Sequence, residues 1–192
     1  QRPTEAYSSP AQFLPRGRKY DDIFNDNLKD DYRILLYPYL VKEFAKKLLK
    51  ESKNIKIFQG PKYIVLDHAF TKKKKNLLYK KTPKIIVGSG GADKKNFLYK
   101  MSLILKKIPN ILIFIVIGKG VERSNPIFKL KKFKKFKFIS YKKNIFKYFQ
   151  NSNVALVSGG TVMFESICTG KKTFVCKTYE NQKNAIKYFQ KK

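Results

Sequence analysis

Residues 83–93, with the sequence PKIIVGSGGAD, decide the fold class of this chain. The apolar run at residues 85–87 is typical of a strand buried on both faces of a parallel sheet. The glycine-rich turn at residues 88–91 ends that strand, and apolar residues then recur at helical spacing over residues 94–108. The segment therefore predicts a strand, a glycine turn and an amphipathic helix in succession.

The same alternation continues toward the end of the chain. Further strands are predicted at residues 112–117, 136–139, 154–157 and 173–176, and further helices at residues 144–151, 162–169 and 181–191. Continuous apolar strands that alternate with helices are typical of a parallel sheet with helices on both faces. Residues 60–192 are therefore predicted to form a Rossmann-like α/β domain.

The N-terminal region differs in composition. Residues 1–19 hold three of the eight prolines and three of the five arginines, and they are predicted to be a loose tail. Residues 20–59 contain apolar runs at residues 34–39 and 55–58, with a helical pattern at residues 41–52 between them. We treat residues 20–59 as a segment separate from the following domain.

The charge of the chain is strongly positive. It has 43 Lys plus Arg against 13 Asp plus Glu, a net charge of +30, with lysine patches at residues 72–75 and 129–137. Only five of the basic residues are Arg, the side chain that favours base and phosphate recognition. Codon bias toward Lys explains most of the excess, so nucleic acid is not the expected partner. A peripheral contact with an anionic membrane, or a basic module that binds a polyanion, stays open as an alternative.

Several classes of site are not expected. The longest apolar run, residues 111–117, is far shorter than the roughly 20 residues of a transmembrane helix. Cys168 and Cys176 lack metal-ligand spacing and are predicted to be buried, so neither a metal site nor a disulfide scaffold is predicted. No cofactor is expected, and the reduced cysteines favour a cytoplasmic location. The single imidazole, His68, is interpreted as a structural or surface residue rather than a general base.

The two glycine turns, residues 88–91 and 158–161, are the candidate ligand-binding elements. Each is predicted at the carboxyl edge of the sheet, where backbone N–H groups at a helix start can bind phosphate. The first turn has neither the spacing of a dinucleotide fingerprint nor that of a P-loop. Glu165 follows the second turn by one helical turn and can accept hydrogen bonds from two ribose hydroxyls. A purely steric role is the alternative for each turn, but the pair favours a nucleotide site.

Four segments resemble nucleotide-sugar enzymes of the GT-B fold. They are residues 158–182, the turn at residues 88–93, the segment at residues 60–66 and the segment at residues 21–24. Within that group the chain is similar to the UDP-2,4-diacetamido-2,4,6-trideoxy-β-L-altropyranose hydrolases of pseudaminic acid biosynthesis. These are related to spore-coat polysaccharide proteins and to the peptidoglycan N-acetylglucosaminyltransferase. The resemblance implies the C-terminal half of a GT-B fold, truncated at both ends, with residues 20–59 as the remnant of an N-terminal domain and linker.

The resemblance also implies roles for individual residues. The UDP diphosphate would be held by the second turn and the ribose by a carboxylate, through Ser158, Gly159, Gly160, Thr161 and Glu165. The sugar or its phosphate would face Asn181 and Gln182, with Gly90 and Gly91 lining the opposite side of the cleft. The implied activity is hydrolysis or glycosyl transfer at the anomeric centre of a UDP-sugar. The catalytic residue stays unassigned, because relatives carry their candidate base in an N-terminal domain with no counterpart here. We therefore expect this chain alone to be inactive or nearly so.

Overall fold

The computed structural model describes residues 33–37, 55–59, 64, 66–71, 82–141 and 143–190. The predicted tail at residues 1–19, the helical pattern at residues 41–52, the lysine patch at residues 72–75 and the predicted domain start at residue 60 lie outside these residues. The domain boundaries therefore stay predictions.

The chain divides into two compact units, which are described separately. The first comprises Gln1–Asp67 and Lys187–Lys192. Its described strands, β1 (Arg33–Tyr37) and β2 (Ile55–Gln59), correspond to two of the predicted apolar runs. They pair in parallel, with Arg33 opposite Ile55 and Tyr37 opposite Gln59. The second unit comprises His68–Ile186.

The second unit alternates strands and helices as the sequence predicts. Its strands are β3 (Lys84–Gly88), β4 (Leu112–Ile117), β5 (Phe136–Ser140), β6 (Val154–Ser158) and β7 (Lys172–Cys176). Its α-helices are α1 (Phe97–Lys106), α2 (Ile145–Gln150) and α3 (Thr161–Cys168). A fourth helix, α4, spans Lys183–Gln190, and its residues up to Ile186 belong to this unit. Among the described residues of this unit, 3₁₀ helices lie at His68–Thr71, Pro126–Lys132 and Glu180–Gln182.

The five strands form one parallel sheet in the order β5-β4-β3-β6-β7. From β3 the chain builds outward through β4 to β5, and it then returns to the other side of β3 to add β6 and β7. The strand order therefore reverses between β3 and β6. A parallel sheet of this kind binds ligands in the crevice at the carboxyl ends of the strands beside such a reversal. The predicted Rossmann-like α/β fold is confirmed.

The core consists of the apolar strand runs and the inner faces of the helices. Four consecutive residues of β4, Ile113 to Val116, are buried, as expected for a strand covered on both faces. Leu98 of α1 and Met163 of α3 are fully buried against the sheet. Three aromatic side chains from the lysine-rich part of the sequence are also buried, Phe136, Phe146 and Phe149.

Two predictions about local structure need correction. Helix α1 begins at Phe97 rather than near residue 94, because Asn96 adopts a left-handed conformation with φ 54° before the first helical residue. Cys168 is exposed rather than buried, since the buried positions of α3 are Val162, Met163, Phe164 and Ser166, whereas Cys168 is its last residue. Cys176 is only half-buried because β7 is an edge strand of the sheet. Among the described residues, no helix is long and apolar enough to cross a membrane.

Candidate functional site

The two predicted glycine turns lie side by side at the point where the strand order reverses. The first glycine loop, residues 88–93, follows β3, and the second glycine loop, residues 158–161, follows the neighbouring strand β6. The Ser158 hydroxyl donates a 2.8 Å hydrogen bond to the Ser89 carbonyl oxygen, which joins the two loops directly. The structure thus places the two loops next to each other at the carboxyl edge of the sheet.

The two central glycines of the second loop have different surroundings. A Cβ on Gly159 would lie 2.7 Å from Ile186 Cδ1 and 2.9 Å from Gln182 Cβ, so the close approach of α4 requires glycine there. The same atom on Gly160 would meet Ser158 Oγ only at 3.8 Å, which is ordinary contact distance. Gly159 therefore has the steric role, whereas the surroundings of Gly160 have room for an added Cβ.

Helix α3 starts at Gly160 without a side-chain cap among the described residues. Gly160 is its N-cap residue, and the Met163 N–H donates to the Gly160 carbonyl at 3.0 Å. The N–H groups of Thr161 and Val162, which precede Met163, have no intrahelical acceptor and carry a partial positive charge. The start of α3 therefore offers hydrogen-bond donors to an anion in the crevice.

Helix α1 starts differently, because its N-terminus is occupied by Asp93. The Asp93 carboxylate accepts from the Phe97 N–H at 2.7 Å and from the Leu98 N–H at 3.1 Å. Burial raises the pKa of the Asp93 carboxyl above its usual range, while these two donors, the Asn125 amide and Lys100 act in the opposite direction. The first glycine loop therefore contributes backbone to the crevice but no open helix terminus.

A third glycine turn, residues 118–120, ends β4 and supports the first loop, a role that the sequence did not indicate. The Gly120 N–H donates to the Gly91 carbonyl at 2.7 Å. A Cβ on Gly118 would come within 2.5 Å of the Gly91 carbonyl oxygen, so the turn after β4 packs directly on the first loop. Gly90 has a φ of 86°, which favours glycine, while Gly91 is exposed.

Gln182 lies beside the second glycine loop and is buried. Its side-chain oxygen accepts from the Thr178 N–H at 2.9 Å, from the Thr178 hydroxyl at 3.0 Å and from the Tyr179 N–H at 3.3 Å. Its amide nitrogen lies 3.9 Å from the position of a Cβ on Gly160. The side-chain oxygen of Gln182 thus stabilises the turn between β7 and α4. Its amide nitrogen is the atom closer to Gly160, where a phosphate is the candidate ligand.

Other candidate residues lie around these two loops. Asn181 is exposed next to Gln182, and Glu165 is half-buried in α3, one turn from the helix start. Lys95 Nζ lies 5.2 Å from the ring centroid of Tyr179, a second contact between the two sides of the crevice. The sequence analysis missed Lys95, since no pattern distinguished it from the other lysines.

Ser89 adds a further polar group that the sequence analysis did not single out. Its Oγ is buried without a hydrogen-bond partner in the part of the chain that the structure describes. A buried hydroxyl without a partner costs about 1–3 kcal/mol. The residue whose carbonyl joins the two glycine loops therefore retains hydrogen-bonding capacity.

The described residues do not identify a metal site or a catalytic base. No group of three His, Cys, Asp or Glu side chains among them could hold a metal ion. His68 is exposed at the start of its 3₁₀ helix. Phe70, in the same 3₁₀ helix, packs against Phe146 of α2, and their ring centroids lie 5.3 Å apart.

Comparisons with known proteins give two distant relatives, and no protein-family model matches the chain. The chain is 26% identical over 141 residues to the spore coat polysaccharide biosynthesis protein SpsG of Bacillus subtilis, covering 71% of this chain and 42% of SpsG. It is 28% identical over 156 residues to the uncharacterized protein MJ1062 of Methanocaldococcus jannaschii, covering 77% of this chain and 32% of that protein. The chain thus spans less than half the length of either relative, and it is similar to a protein that is named for spore-coat polysaccharide biosynthesis.

Proposed function

We propose that the unit His68–Ile186 binds the UDP moiety of a nucleotide sugar in the crevice between the two glycine loops. The observation that carries the proposal is the uncapped start of α3, placed at the reversal of strand order and joined to the first loop through Ser158 and Ser89. A phosphate at this position would accept from the N–H groups of Thr161 and Val162 at the start of α3. The similarity to SpsG supports a role in sugar biosynthesis.

Three side chains complete the proposed diphosphate site. The unpartnered Ser89 hydroxyl would donate to a phosphate oxygen and so recover the hydrogen bond it lacks. The Lys95 ammonium, exposed beside Tyr179, would contribute positive charge from the first-loop side. The Gln182 amide nitrogen would donate from the opposite side, since its oxygen is already engaged.

The ribose and the sugar take the flanking positions in this proposal. The Glu165 carboxylate, one turn into α3, would accept hydrogen bonds from the two ribose hydroxyls. Asn181, exposed in the same turn as Gln182, would face the sugar, with Gly90 and Gly91 on the opposite side. We propose this arrangement as the nucleotide-binding half of a GT-B enzyme.

The proposed reaction of the whole enzyme is hydrolysis or glycosyl transfer at the anomeric centre. A UDP-linked diacetamido sugar of the pseudaminic acid type is the substrate that we propose to test first. Binding that is equal in the ground and transition states does not accelerate the chemical step, and a positioned general base adds about 10²–10⁴-fold. We therefore propose that this chain binds UDP but releases it from the sugar at a negligible rate.

Isothermal titration with UDP tests the binding proposal. We expect a dissociation constant in the micromolar to millimolar range, weakened roughly tenfold or more in Glu165→Ala by the loss of charge-assisted hydrogen bonds. The matched control is Glu122→Ala, which removes an exposed carboxylate from the loop after β4. No heat of binding at millimolar UDP, or equal losses in both variants, would contradict the proposal.

The same protein distinguishes the alternative of a polyanion-binding module. Single-stranded DNA binding that weakens steeply with salt and is unchanged in Glu165→Ala would favour that alternative. UDP binding that depends on Glu165 and varies little with salt favours the nucleotide-sugar proposal.

A further inference from the structure

Helix α1 exposes apolar side chains on its outer face. Leu103 is 38% exposed, Ile104 is 59% exposed, and Ile108, just after the helix, is 42% exposed. Lys100 and Lys107 are also exposed, and with Leu103 and Ile104 they follow the i, i+3, i+4, i+7 spacing of one helix face. The outer face of α1 is therefore an apolar stripe with a lysine at each end.

A lysine-rich turn adjoins the C-terminal end of this stripe. Lys135 Nζ donates to the carbonyl of Lys106 at 3.0 Å and to the carbonyl of Ile108 at 2.6 Å. Lys106 Nζ in turn lies 4.0 Å from the ring centroid of Phe133. These contacts place the exposed Lys132 and Lys134 beside the end of α1.

The part of the sequence that forms this surface carries charge almost entirely of one sign. Residues 94–164 contain sixteen Lys or Arg and a single acidic residue, Glu122. Glu122 follows β4 and so lies toward the carboxyl edge of the sheet. The C-terminal end of α1 and the turn before β5 lie toward the amino edge, opposite the glycine loops, because α1 runs back from the carboxyl edge to the start of β4.

We propose that the outer face of α1 and the turn at residues 131–135 dock this protein on an anionic lipid surface. Exposed aliphatic side chains framed by lysines fit the boundary between lipid headgroups and acyl chains, with the lysines among the anionic headgroups. The glycine loops at the other edge of the sheet then face away from the lipid and stay open to ligand. The proposal does not depend on the identity of that ligand.

Two other occupants fit this surface less well. A second copy would bring its own net charge of +30 against the same lysines, and like charges at an interface repel. A nucleic acid would attract the lysines but would gain little from Leu103 and Ile104, since base stacking uses aromatic rings. Aliphatic exposure together with positive charge is what an anionic lipid surface accommodates.

Co-sedimentation of the full chain with vesicles tests the electrostatic part. We expect binding to vesicles of 70% phosphatidylcholine and 30% phosphatidylglycerol at low salt, with little binding to pure phosphatidylcholine vesicles. The triple variant Lys107→Gln/Lys132→Gln/Lys134→Gln should lose roughly a hundredfold in affinity, about fivefold for each lysine. The matched control is Lys119→Gln/Lys172→Gln/Lys183→Gln, which removes the same charge at exposed positions elsewhere and should change affinity less than threefold.

Fluorescence tests insertion, because the chain contains no Trp. Ile104→Trp places a single fluorophore on the proposed surface, and Phe174→Trp places one at an equally exposed position on edge strand β7, where Phe174 is 51% exposed. We expect a blue shift and quenching by brominated lipid for Ile104→Trp only. The variant Leu103→Gln/Ile104→Gln should keep its thermal midpoint and lose roughly tenfold in vesicle affinity.

Three results would overturn the proposal. They are equal quenching of the two tryptophans, equal affinity losses in the two lysine triples, and single-stranded DNA binding that is tighter than vesicle binding and unchanged in Leu103→Gln/Ile104→Gln. The last result would assign the surface to nucleic acid.

Discussion

The first and second glycine loops look alike in sequence, but the helices that follow them differ in whether a side chain caps the N-terminus. Both follow a buried strand, contain two adjacent glycines and precede a helix at the same edge of the sheet. In the first, the Asp93 carboxylate accepts hydrogen bonds from the N–H groups of Phe97 and Leu98. In the second, Gly160 has no side chain to offer, and no described side chain caps α3.

This difference decides which loop can bind an anion. A helix start attracts negative charge whether the charge belongs to a ligand or to the protein itself. At α1 the protein supplies its own carboxylate, so that loop has a structural role. At α3 the N–H groups of Thr161 and Val162 have no intrahelical acceptor, and we propose that a ligand accepts from them. The number of glycines is therefore a poor guide to a phosphate site. A better guide is whether a side chain of the protein already accepts from the N–H groups at the helix start.

The largest effect is expected from Gly118→Ala, which disturbs the support of the first loop. The added Cβ would fall within 2.5 Å of the Gly91 carbonyl oxygen, and the backbone would have to move. Overpacking of this kind costs about 3 kcal/mol. Urea denaturation measures the loss of stability.

Gly91→Ala is the matched control for that variant. No described atom lies within 4 Å of its added Cβ, and its φ is not in the left-handed range, so stability should change by less than about 1 kcal/mol. Equal losses in the two variants would show that the turn at residues 118–120 does not support the first loop.

A smaller loss is expected from Asp93→Ala, which opens the N-terminus of α1. The N–H groups of Phe97 and Leu98 would lose their acceptor in a buried setting, at a cost of about 2 kcal/mol. Thermal denaturation followed by circular dichroism measures this. If Asp93→Ala unfolded at the wild-type temperature, the first helix start would not depend on its own carboxylate.

The sequence predicted the sheet well, because its evidence is local. Strands buried on both faces need continuous apolar runs, and the run at residues 112–117 coincides with the observed β4, Leu112–Ile117. Helix ends were predicted less well, since they depend on side-chain caps. The start of α1 is set by Asp93 and by the left-handed Asn96, neither of which periodicity reveals.

The candidate site was predicted only in its parts. The sequence identified both glycine turns, but the Ser158–Ser89 hydrogen bond requires β3 and β6 to be neighbours, and strand order is a long-range property. The sequence also assigned Asn181 and Gln182 to the same task. The structure distinguishes them, since Gln182 is buried and holds its turn, whereas Asn181 is exposed.

A gain of about 0.5 kcal/mol is expected from Gly160→Asp, the change that makes the second loop resemble the first. Asp is a better N-cap residue than Gly by a few tenths of a kcal/mol, and it also restricts the unfolded chain. The space around Gly160 accepts a side chain, since the nearest described atom is 3.8 Å from the added Cβ. The new carboxylate should displace the UDP diphosphate, so stability should rise while UDP affinity is lost.

Thermal denaturation and UDP titration of the same Gly160→Asp sample measure the two changes together. Gly160→Ala is the control, because it adds a Cβ without a charge and should retain most of the affinity. Undiminished UDP binding by Gly160→Asp would place the diphosphate away from the start of α3.

The smallest effect is expected in the pH dependence of stability that Asp93 contributes. Burial raises the pKa of its carboxyl in the folded protein above the 3.8 of the unfolded chain, although its backbone donors act in the opposite direction. Below pH 3.8 the carboxyl is protonated in both states. As the pH rises through the raised folded pKa, the unfolded chain releases its proton first, so the free energy of unfolding falls.

The variant Asp93→Asn lacks the titration of this carboxyl but keeps all the other titratable groups. The stability of the wild type minus that of Asp93→Asn should therefore decrease from pH 3.5 to a plateau above the folded pKa, as measured by urea denaturation at each pH. An increase over this range would mean that the Phe97 and Leu98 donors outweigh burial, and that the first helix start stabilises the charged form of its own carboxyl.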